Sequence, residues 1–275
     1  MLCYQYTRNA TDIIHDTFSW ITSNGRLMRL LFAILLPVCI LTEYLSDLMV
    51  FDFYNKDISV MDAILQHYIP MGFHDEPVEG AELAQYQRYL LMFFVLLGIV
   101  PMLRHYFLSR KSLKKITLKR LVEVMKLHLA PTLVTFATAM VAYWLLVVTY
   151  ETVIFSYMIL FFAAFPVSSA IMKGKDFSFQ GFSGNFMFSV RYLFLISFVV
   201  LVLQILPLYC CGLCSMIVEI MNVSLINMIP AADEMSKVAS FVMGTLTYLS
   251  FCFSMIVLFV SLTLFHGAIM EESEE

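Results

Sequence analysis

Charge is what this chain has least of. Asp, Glu, Lys and Arg make up 14 % of its 275 residues, where soluble domains carry about 25 %. A water-soluble protein of this length would need more polar surface than that, while 60 % of the residues are hydrophobic. Signature motifs are missing as well. There is no Gly-rich loop ending in Gly-Lys-Ser/Thr to cradle phosphate, no His-Glu-x-x-His pair to hold zinc, and no Gly-x-Ser-x-Gly elbow to present a nucleophile. These absences exclude a soluble ATPase and the common hydrolases, and no cofactor or metal is implied. The basic residues make no extended surface beyond one stretch, so nucleic acid is not an expected partner.

What is present is long apolar runs. A transmembrane helix needs about 20 mostly apolar residues, and six segments meet that need: Leu30–Met49, Tyr89–Phe107, Pro131–Thr149, Thr152–Ile171, Arg191–Cys211 and Phe241–Phe265. The expected fold class is an all-α polytopic membrane bundle of about six transmembrane helices with interfacial amphipathic helices. It forms one membrane domain over residues 1–275. An acidic outer insert covers about 51–88, and an outer amphipathic or re-entrant segment about 212–238. No cleavable signal peptide is expected, because the first long apolar run starts only after Arg29 and continues too far for one.

Lys and Arg accumulate in cytoplasmic loops of membrane proteins. Eight lie between Arg104 and Lys126, three more are Arg8, Arg26 and Arg29, and a third loop adds Lys173, Lys175 and Arg191. Fourteen of the 17 basic residues thereby fall on one side of a six-span fold. Both termini are expected in the cytoplasm.

Three times a polar cap opens an amphipathic stretch that leads into a pair of spans. The first starts at Asn9, with Ile14, Phe18 and Ile21 on one face. The second starts at Thr117, with Leu118, Leu121, Val122, Met125 and Leu129 opposite Lys119, Arg120, Glu123 and Lys126. The third starts at Asp176, with Phe179, Phe182 and Phe186 as its stripe. Capping residues accept hydrogen bonds from free helix N–H groups, and such faces can lie in the headgroup region.

The candidate binding residues are Glu43, Asp47, Gln204 and Glu219. Glu43 and Asp47 are four apart on one helix face, and acids within a membrane are costly and usually functional. A buried pair could hold a cation or relay a proton. The first helix has, however, climbed about 24 Å between Leu27 and Glu43, so an outer headgroup position is the favoured reading. Gln204 and Glu219 would line a polar cavity or face outer water. Arg110, Lys111, Lys114, Lys115, Lys119 and Arg120 are candidates for contact with anionic lipid headgroups or a cytoplasmic partner, each worth about 1 kcal/mol at an anionic leaflet. Arg104 and His105 read as snorkelling anchors. Ala164 and Ser168 have small-residue spacing that favours close helix contact. Cys210, Cys211 and Cys214 lack a second ligand pair, and Cys3, Cys39 and Cys252 stand isolated. The loose group His67, His74, Asp75, Glu76 and Glu79 has no metal-ligand spacing and reads as a solvated loop.

The opening ATDIIHDTFSWITSNGRLMRLLFAILLPVCIL and the close FHGAIMEESEE resemble six-helix integral membrane proteins abundant in Bacteroidetes. These are similar in plan to the membrane domain of some bacterial glycerophosphodiester phosphodiesterases. The resemblance implies a bacterial inner-membrane protein. It implies no reaction and carries no site residues, since this chain has no phosphodiesterase domain. The leading functional expectation is a non-enzymatic membrane protein that handles a lipid-like ligand or scaffolds membrane partners. The alternative is a transporter or the permease subunit of an ABC-type exporter.

Overall fold

The structure, a computed structural model, describes residues 10–53, 79–109, 117–149, 163–164, 166–172, 189–203 and 232–272. Among these residues there is no strand. Helix α1 spans Ala10–Ser23, α2 Gly25–Phe53, α3 Glu79–Ser109, α4 Leu118–Leu127 and α5 Leu129–Thr149. A short helical stretch, α6, covers 166–172. Helix α7 spans Ser189–Leu203 and α8 Ala232–Glu272.

Three helices are long and apolar enough to cross a membrane, through Gly25–Tyr44, Tyr89–Tyr106 and Gly244–His266. A fourth is reached if α4 and α5, bent by 73° at their junction, count as one. The first, second and sixth expected spans coincide with the three. The third is met by α5, whereas most of the fourth and the end of the fifth lie outside the described residues. So do the third amphipathic stretch and residues 54–78 and 204–231.

Local sequence sets the helix ends. Thr117 caps α4, its hydroxyl accepting from the Arg120 backbone N–H, which satisfies one of the free donors of the first turn. At the junction of α1 and α2 the Asn24 side-chain amide donates to the Trp20 carbonyl at 2.8 Å. Pro37 and Pro101 sit inside α2 and α3. Such prolines are tolerated in membrane helices, where neighbouring groups re-satisfy the freed carbonyl. Threonines answer the same demand for internal satisfaction. Thr17, Thr42, Thr132, Thr135, Thr138 and Thr263 each donate to the carbonyl one turn earlier, so these hydroxyls need no water.

The chain divides into two compact units. Unit 1 contains Met1–Ala33, Met92–Val200 and Ser254–Glu275; unit 2 contains Ile34–Leu91 and Leu201–Phe253. In unit 1, α1 buries Ile13, Thr17, Trp20 and Ile21. The sequence pattern groups Ile14, Phe18 and Ile21 on one apolar face; the buried stripe shares Ile21 with it and runs through Ile13 and Trp20. The Trp20 ring meets Tyr106 of α3 edge-on at 5.9 Å. Gly98 of α3 lets Leu31 of α2 approach, since a Cβ there would press on the leucine tip. Phe93 of α3 meets Phe136 of α5 edge-on at 5.1 Å. Tyr192 of α7 stacks on Phe265 of α8 at 4.2 Å and donates to Ser261 Oγ at 2.7 Å. In unit 2, α2 contributes Leu35, Cys39, Thr42 and Glu43, and α8 contributes Thr245, Tyr248 and Cys252. Ser250 of α8 donates to the Leu203 carbonyl of α7 at 2.6 Å.

The outward surfaces are apolar. Helix α5 exposes Leu133, Val141 and Trp144, and α7 exposes Phe194, Phe198 and Leu201. Soluble monomers rarely present contiguous patches of this kind. Hydrocarbon is the solvent in which these surfaces cost nothing. The molecule is therefore a membrane protein, and its described elements are all helices.

Candidate functional site

Two polar regions stand out against this apolar background. The first lies in unit 2. Glu43 is only 8 % exposed. Its carboxylate fills the space beside Gly244 of α8, where any Cβ would overlap it. Thr42, Thr245 and Thr247 are buried in the same unit, and the Thr245 hydroxyl has no partner among the described residues. The expected open position among headgroups does not describe this carboxyl, which is enclosed by protein. Asp47 lies one turn further along α2, but its side chain is outside what is described, and Gln204 and Glu219 fall outside the described residues altogether.

Cys39 and Cys252 also belong to this unit. Isolated in sequence, they bring their sulfurs to 3.9 Å across α2 and α8, both fully buried and both free. Buried thiols among apolar neighbours are inert, so the pair serves packing.

The second region lies in unit 1, where α3, α4, α5 and α6 meet. Arg104 does not snorkel out of α3 as its place in the sequence suggests. Instead it turns inward, is 8 % exposed, and donates through Nη1 to the carbonyls of Ile171 and Met172 at 2.9 and 3.0 Å. Those carbonyls belong to the last two described residues of α6. The Arg104 Nε has no partner among the described residues. His128, the residue at the α4–α5 bend, stands close enough to feel both Arg104 and His105. Burial first, then those two neighbours, hold its imidazole below the ordinary value of 6.5. Ser168 of α6, one turn before Arg104's acceptors, lies 3.5 Å from His266 Nδ1 of α8.

No known protein family matches this chain, and neither does any curated protein or solved structure. Function must therefore be read from its own surfaces.

Helix α4 forms the rim of the second region. It buries Leu121 and Val124. Leu118 and Val122, which the sequence groups with Leu121 on the apolar side, are 56 and 42 % exposed, and Leu127 is 72 % exposed. Lys119, Arg120 and Lys126 are exposed alongside them, with Arg120 paired to Glu123 at 3.1 Å. At 100° per residue, Leu118 and Val122 share a sector bordered on one side by buried Leu121 and on the other by Lys119 and Lys126. Arg110, Lys111, Lys114 and Lys115 lie outside the described residues. Sequence reasoning names α4 correctly as amphipathic, but it reads Arg104 and His105 as snorkelling anchors and passes over His128 and His266, because the partners of Arg104 come from a segment remote in the chain. Among the described residues, no three His, Cys, Asp or Glu side chains group as metal ligands.

Proposed function

We propose that this chain is a non-enzymatic, multi-pass membrane protein that works at the cytoplasmic leaflet of a bacterial inner membrane on a lipid-like ligand. One observation carries the reading: α4 presents an unpartnered apolar sector, Leu118 and Val122, next to Lys119 and Lys126. That is the build of a helix lying in a membrane interface, with leucine and valine toward the acyl chains and ammonium groups among the phosphates. The six-span arrangement with both termini cytoplasmic, and the resemblance to the Bacteroidetes six-helix proteins, belong to the same proposal. They agree with a basic rim on the inner side.

The test is photo-crosslinking in vesicles, comparing anionic phosphatidylglycerol probes with zwitterionic phosphatidylcholine probes. Adducts are expected on residues 118–129. Two unpaired lysines at about 1 kcal/mol each imply that Lys119→Gln with Lys126→Gln weakens the anionic preference by roughly thirtyfold. Label that avoids α4, or an anionic preference indifferent to both substitutions, would remove the reading.

The buried Glu43 favours a second reading, a transporter or the permease subunit of an ABC-type exporter. A carboxylate enclosed at the end of a membrane-length helix is costly without a task. Solute flux lost in Glu43→Gln, or a co-purifying ATPase, would support it. Normal flux in that variant would count against Glu43 as its carrier.

A further inference from the structure

The seam between α2 and α8 in unit 2 holds a chemistry that neither reading above uses. Cys39 and Cys252 place their sulfurs 3.9 Å apart, close enough for one thiol to donate to the other. Both are fully buried, and neither is bonded to another cysteine. They stand 213 positions apart, so helix packing and not chain proximity brings them together. A disulfide holds its sulfurs about 2.05 Å apart. Each sulfur therefore has about 1 Å to travel, a distance within the reach of side-chain rotation.

Depth decides what can react with the pair. Cys39 lies about 21 Å along α2 from Gly25, and Cys252 about 12 Å along α8 from Gly244. Both points fall inside the apolar windows long enough to cross a membrane, so the seam is surrounded by hydrocarbon. Helix α2 is the thin wall on one side, since only 33 % of its span is buried against 61 and 72 % for the other two. Leu36, Ile40 and Leu41, which flank Cys39, are exposed on its outward side. Charged reagents from the aqueous phase do not enter such a medium. Apolar ones dissolve in it.

We propose that Cys39 and Cys252 form a redox pair, oxidised to a disulfide by a lipid-soluble quinone. The two S–H bonds break and one Sγ–Sγ bond forms. Two electrons and two protons pass to the quinone oxygens, and a hydroquinone leaves. Reactants and products are all neutral, as a low-dielectric site requires. A monovalent soft metal held by both thiolates would instead leave a negative charge in the seam. In the reduced state the pair serves packing, and burial keeps it inert toward water-borne reagents. The same burial selects an oxidant that arrives through lipid. The bond fastens α2 to α8 one helical turn from Glu43, yet the inference depends neither on that carboxyl's role nor on α4.

The experiment uses the full chain in phosphatidylcholine vesicles, with Cys3→Ser, Cys210→Ser, Cys211→Ser and Cys214→Ser leaving only the pair. Duroquinone, whose ring positions are blocked against thiol addition, is compared with oxidised glutathione on both faces of the membrane, in the absence of oxygen. The chain is then denatured, and its free thiols are counted on a gel after reaction with a polyethylene-glycol maleimide. The quinone should remove both thiols together, with one hydroquinone formed per chain, and dithiothreitol should restore them. Oxidised glutathione should act about tenfold more slowly or not at all, because its charges keep it out of the hydrocarbon. Cys39→Ala and Cys252→Ala each leave one thiol, which should survive the quinone. The parent chain is treated alongside, and mass spectrometry should find its α2 and α8 peptides joined through Cys39 and Cys252, so that a folding defect of the serine variant cannot decide the result. Two thiols that persist in the quinone, with no joined peptide from the parent, overturn the proposal. A disulfide formed between chains overturns it as well, and so does loss of the single thiol in either alanine variant. Equal rates with oxidised glutathione would show an aqueous route and sink the lipid-borne oxidant.

Discussion

Gly244 has no side chain because Glu43 occupies the volume one would need. Inside a helix, alanine is normally more stable than glycine by about 1 kcal/mol. At this position the sign should reverse. The overlapping atoms belong to the end of a side chain that could in principle swing away, but Glu43 is enclosed, and moving a carboxyl through packed surroundings is expensive. Gly244→Ala is expected to destabilise by about 1–3 kcal/mol, the range of overpacking, read from thermal unfolding in detergent. In the Glu43→Ala background the same substitution should become neutral or stabilising. Additive effects in this double-mutant cycle would show that the two residues do not oppose each other. Neither member of the pair is legible beforehand. The sequence places Glu43 at the end of an apolar run, and the number of residues traversed measures its depth, not what stands beside it. Cys39 and Cys252 teach the same lesson, since 213 positions separate two sulfurs that touch.

At the scale of elements, the sequence is most legible where polarity changes along the chain and least where it changes around a helix. The apolar runs of α2, α3 and α8 are long enough to announce themselves. Which face of such a helix meets protein is another matter, because lipid and core are equally apolar and hydrophobic periodicity cannot separate them. That is why the pattern groups Ile14, Phe18 and Ile21 of α1 when Ile13, Trp20 and Ile21 are the ones buried, and why it sets Leu118 and Val122 of α4 beside Leu121 without separating the covered residue from the exposed ones. The α4–α5 bend is a further case. Pro131 suggests where the span begins, yet the chain turns earlier, at His128, whose backbone N–H still bonds to the Val124 carbonyl at 3.1 Å. A proline in the first turn of α5 costs no hydrogen bond, since that N–H has no helical partner. The histidine at the bend has a measurable consequence. Its value lies below 6.5 in the folded protein, so the unfolded chain binds the extra proton more readily. Stability should fall as pH drops through about 6.5, until the folded imidazole is itself protonated. In neutral detergent without anionic lipid, His128→Gln should lose less stability than the parent between pH 7.5 and pH 5. Parallel curves for the two proteins would contradict the lowered value, which burial causes first and Arg104 and His105 second.

For the whole molecule the question is parity. Three helices cross by length and composition, a bent pair allows a fourth, and α7 is a shorter apolar helix. An even total returns the chain to the side on which it began, and an odd total does not. Fourteen of the 17 basic residues share one side if two spans lie between Arg29 and Arg104 and two more between Lys126 and Lys173, whatever follows Arg191. With five or seven, the acidic end at Glu271 and Glu272 moves across, although Asp and Glu weigh little in setting orientation. The basic loop is therefore the reference point, and the far end of the chain is the variable. Single cysteines placed by His67→Cys, Ser112→Cys and Ser273→Cys in a chain with its six native cysteines replaced distinguish the arrangements with a membrane-impermeant maleimide. Position 67 should react in intact cells, and positions 112 and 273 only after the membrane is opened. Reaction of 273 from outside would make the number of crossings odd and would require the segment about 212–229 to span. Reaction of 112 from outside would do more damage. It would put the lysines of α4 on the outer leaflet and remove the cytoplasmic-leaflet reading with them.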